Sequence, residues 1–163
     1  MSKLFSPIKI RGLEVKNRLW VSPMCMYSCE KQDGVVGDFH LVHLGARALG
    51  GAGLVMAEAS GVNPEGRITP WCPGLWSNEQ VVAWRRVNDF IHQQGAATAI
   101  QLAHAGRKAS TYRAQSGVGS VPISAGGWHT YSLTNEPFTG YAAPRQLETD
   151  EIPGLVGDFK VML

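Results

Sequence analysis

Apolar positions along this chain fall into short runs of two kinds, and their alternation predicts the architecture. Ile8-Lys-Ile-Arg-Gly-Leu-Glu-Val15 places alternating apolar residues on either side of Arg11-Gly12, the pattern of a small β-hairpin. Arg18-Leu-Trp-Val21 is a short apolar strand stopped by Ser22-Pro23. A loop rich in Gly and Asp leads to Asp38, a suitable N-cap, and to a helix ending near Leu49 with Leu41, Gly45, Ala48 and Leu49 on its inner face. Glycines 50, 51 and 53 end that helix and feed a second strand, Leu54-Val-Met-Ala57.

Ser77 opens the clearest helix. Its hydroxyl caps the first turn and Gln80, three residues on, completes a capping box. Ala83, Val87, Phe90 and Ile91 share one stripe, and Gly95 is placed as the residue just past the end. Ala97-Thr-Ala-Ile-Gln-Leu102 is the third strand. A polar, Gly-rich excursion then runs to Pro144, and Thr149 caps a final helix beginning Asp150-Glu-Ile-Pro153.

Short strands alternating with helices predict an α/β fold with a parallel sheet. A Rossmann-type sheet and a (β/α)₈ barrel both fit this order. The first has no GxGxxG between its first strand and helix. The second ordinarily needs about 250 residues, and roughly four of its eight units would be present. A barrel sheet of three or four strands leaves an unpaired edge.

Composition narrows the function classes. Hydrophobic residues make up 44% of the 163 residues and charged residues 17%, enough apolar material for a packed core. The net charge of +2 comes from scattered basic residues, which gives no electrostatic case for nucleic acid or an anionic membrane. Met1-Ser-Lys-Leu-Phe-Ser-Pro7 lacks the apolar stretch of a signal peptide, and no run approaches the ~20 residues that span a bilayer. Cys25, Cys29 and Cys72 are an odd number without a CxxC pair, against a disulfide framework or zinc ribbon. The expectation is a cytoplasmic protein with reduced thiols.

Three groups of unusual residues are predicted just past strand C-termini: Ser22-Pro-Met-Cys-Met-Tyr27, Glu58-Ala-Ser60 and Gln101-Leu-Ala-His-Ala-Gly-Arg-Lys108. Ligands bind at that edge in parallel α/β folds because the βα loops converge there. Cys25 alone reads as an inert buried thiol, Tyr27 alone as a loop anchor, and Gln101 alone as a cap on a loop. His40 and His43 sit three apart on a helix, but no acidic or cysteine partner stands at metal-ligand spacing, so no metal is expected. They read as hydrogen-bonding residues near the helix start. Cys29 and Cys72 read as structural, and Trp71, Trp76 and Trp84 as packing. Arg107-Lys108 is open between a solvated pair and a site-facing one, and His104 is open as a support to the site.

Ser22-Pro-Met-Cys-Met-Tyr27, Asp38-Phe-His-Leu-Val-His43, Gly51-Ala-Gly53, Pro64-Glu-Gly-Arg67 and Gln101-Leu-Ala-His-Ala-Gly-Arg-Lys108, in that order, are together similar to the old yellow enzymes of the thermophilic-like class that carries a cysteine in the first motif. The resemblance runs from about residue 4 to about residue 158. It implies the barrel reading: a partial (β/α)₈ TIM barrel with an N-terminal hairpin and the first three to four βα units, residues 1–163 being the N-terminal part of one truncated FMN-binding domain.

By resemblance, Ser22, Pro23, Met24 and Cys25 line FMN, Ala59 sits against its ring edge, and the Gln101 amide bonds its pyrimidine end. Cys25 would tune the flavin, and Tyr27 would donate to the substrate carbonyl. The implied reaction passes hydride from NADPH, or NADH, through the flavin to the activated C=C bond of an α,β-unsaturated carbonyl compound. The parent is expected to be a homo-oligomer. Substrate-anchoring histidines, a later arginine and the phosphate-holding loops are expected beyond this chain, so weak or absent FMN binding is expected of it alone, and a complementary C-terminal half is expected to close the barrel. Two alternatives stand: a non-catalytic half-barrel that works only with a partner chain, and the N-terminal part of a dienoyl-CoA reductase-like flavin/iron–sulfur enzyme.

Overall fold

A computed structural model describes residues 2–161, with the Val161 side chain excepted. Met1, Met162 and Leu163, part of the single-domain reading of residues 1–163, lie outside the described residues. The hairpin forms as expected, β1 (Ile8–Ile10) pairing antiparallel with β2 (Leu13–Val15). Arg11 takes the left-handed backbone of its tight turn, with φ 51°.

The central sheet has three strands, β3 (Trp20–Val21), β4 (Leu54–Gly61) and β5 (Ala97–Ala103), in the order β3-β4-β5 and all parallel. Helix α1 (Asp38–Leu49) connects the first two strands and α2 (Asn78–Gln93) the last two. The three strands form no closed barrel among the described residues.

Helix α1 begins one residue earlier than expected. Gly37 is the N-cap and Asp38 the first helical residue, its carboxylate free to meet Arg86 of α2 at 2.7 Å on the surface. His40 reaches back to the cap, its Nδ1 accepting the Gly37 N–H at 3.2 Å. The buried stripe is His40, Leu44, Gly45 and Ala48, with Leu41 packed partly against it. Leu49, expected inside, is 65% exposed. His40, polar by composition, takes a core position. A Cβ on Gly45 would stand 2.7 Å from the Phe90 ring, so the glycine sets how closely α1 approaches α2.

Helix α2 follows its sequence pattern. Ser77 Oγ accepts the Gln80 N–H, and Gln80 Oε1 accepts from Trp76 and Ser77 at 2.7 and 3.2 Å. Trp84, Val87 and Ile91 are buried with Val55 and Ala57 of β4, and Gly95 closes the helix at φ 69°. The Trp84 indole donates to the Gly74 carbonyl at 3.1 Å. Val55, Val87 and Ile91, each no more than 2% exposed, are the centre of the core; burying one such side chain contributes about 1.5–3 kcal/mol.

Two expectations need correction. Strand β4 does not stop at Ala57 but continues through Glu58, Ala59 and Ser60 to Gly61, with a bulge between Ala57 and Ala59. Glu58-Ala-Ser60 is therefore strand, not loop, because the bulge lets polar Glu58 turn inward without breaking the pairing. The last helix likewise starts later. Thr149–Glu151 forms a single 3₁₀ turn capped by Glu148, and α3 runs Ile152–Val161.

The long excursion also contains a ribbon that the pattern did not reveal. β6 (Tyr131–Ser132) pairs parallel with β7 (Arg145–Gln146). The excursion is fastened across the strand ends: Thr111 N–H donates to Ile68 O at 2.9 Å and the Trp128 indole to Glu65 O at 2.9 Å. Arg67 fills the space beneath, its guanidinium between the Trp76 and Trp128 rings and bonded to the carbonyls of Gln32 and Pro70.

Candidate active site

The predicted residues gather at the C-terminal edge of the sheet, and two features of the strands bring them there. First, the register of β4 against β5 pairs Ala59 with Gln101 after the bulge. Residues in register on parallel strands share a face, so the small methyl and the exposed amide stand side by side. Second, the loop after β3 folds back over the end of β4. There the Met26 and Tyr27 N–H groups reach the Glu58 carboxylate, which brings the Cys25 thiol into the neighbourhood of Ala59 and Tyr27.

Burial pushes the half-buried Cys25 thiol above its usual range; the Ala59 N–H opposes this, Glu58 adds to it, and the Tyr27 phenol opposes it. Burial first, then the neighbouring Cys25, raises Tyr27 to about 12. Both groups are protonated at neutral pH, and the phenol is a neutral donor. Ser22, Pro23 and Met24 occupy the start of the same loop, Ser22 and Met24 exposed and Pro23 half-buried.

The backbone of this loop is held from beneath. Tyr27 has φ 54°, a left-handed conformation that a bulky residue keeps only when its surroundings impose it. Glu58 Oε2 accepts the N–H groups of Met26 and Tyr27 at 2.9 and 3.4 Å. The Tyr27 carbonyl accepts from Arg113 Nη1 at 3.1 Å, and the same guanidinium lies over the Trp71 ring and makes a two-pronged pair with Glu30 at 2.6 and 3.2 Å.

His40 Nε2 stands 3.8 Å from Glu58 Oε1 and 4.0 Å from Cys29 Sγ. Burial, helped by His43, lowers His40 to about 4, so this contact is between a carboxyl and a neutral imidazole. Since Nδ1 accepts from Gly37, the ring proton is assigned to Nε2. Burial raises the Glu58 carboxyl above its ordinary value, against the two amide donors that lower it.

The remaining sequence candidates resolve as follows. His40 hydrogen-bonds at the helix start as expected, and His43 stacks on Phe39 at 5.5 Å. Cys29 and Cys72 are buried free thiols pushed up by burial to about 12 and about 11. Arg107 and Lys108 face the excursion, Lys108 over the Phe138 ring at 3.8 Å and Arg107 toward the Glu136 carbonyl. His104 is bonded to the Tyr131 hydroxyl at 2.7 Å, and Asn63 joins that hydroxyl to Asp158 of α3. No cluster of three or more His, Cys, Asp or Glu that could hold a metal occurs among the described residues, and no helix there is long and apolar enough to cross a membrane.

Sequence reasoning missed Glu58 as a support, Arg113, and the Tyr131–Asn63–Asp158 link. A polar residue inside an apolar strand signals Glu58. Arg113 and Tyr131 lie in the excursion, where no periodicity marks them.

Residues 3–161 match the model of the NADH:flavin oxidoreductase / NADH oxidase family. The chain belongs to this family. Among curated relatives, the NADPH dehydrogenases of Listeria monocytogenes serotype 4a (strain HCC23) and Listeria innocua serovar 6a (strain ATCC BAA-680 / CLIP 11262) are each 54% identical over 109 residues, covering 67% of this chain and 32% of the relative. Among solved structures, morphinone reductase in complex with tetrahydroNAD superposes with a TM-score of 0.80 at 27% identity over 98% of this chain and 45% of that one. The old yellow enzyme homologue from Zymomonas mobilis gives 0.79 at 29% identity over 98% and 43%. The chain thus spans about a third of the length of those curated relatives and under half of those solved structures.

The residues present fit the ring of FMN, the family's cofactor. Nothing larger than a methyl stands at Ala59, the Gln101 amide and the Met24 side chain are exposed, and the Cys25 and Tyr27 groups that converge there carry no charge at neutral pH. A flat ring with apolar faces and an imide-like edge suits that set, since an amide can both donate and accept without fixing charge.

Proposed function

We infer that this chain supplies the ring-binding and substrate-activating edge of an FMN-dependent ene-reductase, acting on the C=C bond of α,β-unsaturated carbonyl compounds with NADPH or NADH as reductant. The observation that carries this reading is the convergence of Cys25, Tyr27, Ala59 and Gln101 on one sheet edge. The names of the relatives, NADPH dehydrogenase and morphinone reductase, support it.

FMN, when bound, supplies the hydride chemistry. Gln101 would hold the ring's polar edge, and Ala59 leaves room for its close approach. Ser22, Pro23, Met24 and Cys25 would line it. The Tyr27 phenol, protonated to about 12, would donate to the substrate carbonyl and so withdraw electrons from the alkene, a donor role of the kind that stabilises developing negative charge. Tyr27→Phe is expected to lower kcat by about 100- to 1,000-fold in an active assembly.

A second reading, that the chain works only with a partner chain, is favoured by the central sheet. Its outer strands β3 and β5 each have one neighbour within it, leaving strand edges of the kind that take up another strand.

The test is FMN titration followed by flavin fluorescence, with size-exclusion chromatography alongside. Binding by an assembled species, lost in Ala59→Trp and weakened in Gln101→Leu, with flavin reduction by anaerobic NADPH and reoxidation by 2-cyclohexenone, is the expected result. Flavin binding indifferent to both substitutions would refute the site.

A further inference from the structure

We propose that Glu58 is the positioning residue of this site: its buried carboxylate, turned inward by the bulge in β4, pins the backbone of Met26 and Tyr27 and so fixes where the Tyr27 phenol and the Cys25 thiol stand. The inference rests on the reading of Cys25 and Tyr27 as site residues, but it concerns the chain's own geometry and can be measured without flavin.

A carboxylate that is 5% exposed is costly in a strand otherwise packed with Val55, Ala57 and Ala59, unless its oxygens are satisfied. What satisfies Oε2 are two backbone N–H groups of another segment, 31 and 32 residues away. The other oxygen, Oε1, stands 3.8 Å from the neutral His40 ring, beyond hydrogen-bond reach. The bulge is required for this. Without the extra residue between the Ala57 and Ala59 pairings, strict alternation would turn Glu58 to the face opposite its neighbours.

The segment it grips needs a grip. Tyr27 is one of the non-glycine residues with positive φ, and its peptide groups are held on both sides, by Glu58 at the N–H and by Arg113 at the carbonyl. A residue that merely filled space at position 58 would need neither the oxygen nor the bulge.

The test compares Glu58→Gln with Glu58→Leu. Both remove the charge that raises Cys25; the amide keeps an acceptor oxygen, and leucine does not. Cys25 is the half-buried thiol, while Cys29 and Cys72 are buried, so iodoacetamide reports on its position. The rate of modification of the 163-residue chain is measured from pH 7 to 11, with circular dichroism confirming the fold. Thiolate is the reacting form, so each unit by which the thiol's pKa falls raises the rate about tenfold below that pKa.

Glu58→Leu is expected to react about tenfold or more faster at pH 8 than Glu58→Gln. Rates within about twofold of each other would overturn the proposal, because packing alone would then account for the position. Should the leucine variant fail to fold, amide hydrogen exchange of the wild-type and Glu58→Gln chains decides. Protection of the Met26 N–H in both is expected, and free-loop exchange of that amide in the folded wild-type chain would overturn the proposal. Either result stands whether or not the chain binds FMN.

Discussion

Acidification should weaken this fold through its buried histidines, His40 above all, with His43 and His104 lowered by burial in the same direction. His40 is 1% exposed and donates nothing to water; burial first, and His43 second, lowers its pKa from 6.5 to about 4. The folded chain therefore prefers the neutral ring, and the unfolded chain takes up a proton more readily. The stability tied to neutral His40 is complete above pH 6.5 and is lost as pH falls toward 4. By pH 5 the loss is about 2 kcal/mol, from the 2.5-unit separation at 1.36 kcal/mol per unit, less the part not yet titrated. Glu58 runs the other way. Its raised pKa lets the folded form accept a proton first, which offsets part of the loss as pH falls.

The comparison that isolates His40 is His40→Gln, which keeps an acceptor for the Gly37 N–H and does not titrate. Urea unfolding followed by tryptophan fluorescence at pH 7.5, 6.5, 5.5 and 5.0 gives both curves. The wild-type stability should drop relative to the variant by about 2 kcal/mol between the first and last pH. Curves that stay parallel within about 0.5 kcal/mol would refute the reasoning, since the ring would then bind its proton equally in both states.

Gln80→Leu should destabilise by about 2–3 kcal/mol in the same unfolding assay, because it strips partners from the Trp76 N–H and the Asp33 carbonyl while leaving them part-buried. Ile91→Ala should cost about 2–5 kcal/mol, its side chain being 1% exposed within the core. Arg86→Ala should leave the unfolding midpoint unchanged, since the Asp38–Arg86 pair is largely in water. Asn63→Leu should speed hydrogen exchange in α3 without affecting α2, as Asn63 ties Asp158 and the Tyr131 hydroxyl together; equal protection in both proteins would show that α3 is held otherwise.

The hairpin, the three parallel strands and α2 were legible because each has a local signal: alternation around Arg11-Gly12, apolar runs ended by turn residues, and the Ser77–Gln80 box. Misreadings arose where a tertiary partner overrode that signal. Glu58 and Ser60 looked like loop because polar residues interrupt the apolar run, yet backbone donors from the Cys25–Tyr27 segment make the carboxylate tolerable inside a strand. His40, read as a hydrogen-bonding residue near the helix start, also takes a core position, while Leu49 looked like core and is exposed. The β6–β7 ribbon depends on residues fourteen positions apart meeting in parallel, and no local pattern encodes that. Within the candidate site, Cys25, Tyr27, Ala59 and Gln101 could be named from motifs and Glu58 is signalled only as a polar residue in an apolar strand, while the hold of Glu58 and Arg113 on Tyr27 exists only across the fold.

The double grip on Tyr27 also sets a timetable. Glu58 follows Tyr27 by 31 residues and Arg113 by 86. On a chain growing at roughly 5–20 residues per second, the second anchor is made about 4–17 seconds after the residue it fastens. Throughout that interval, Cys25 and Tyr27 belong to a nascent segment without its finished support, and the thiol is open to whatever reacts with it. The support of this edge is thus completed only when residue 113 has been made, and agents present while the ribosome is still working can reach Cys25 before that support is in place.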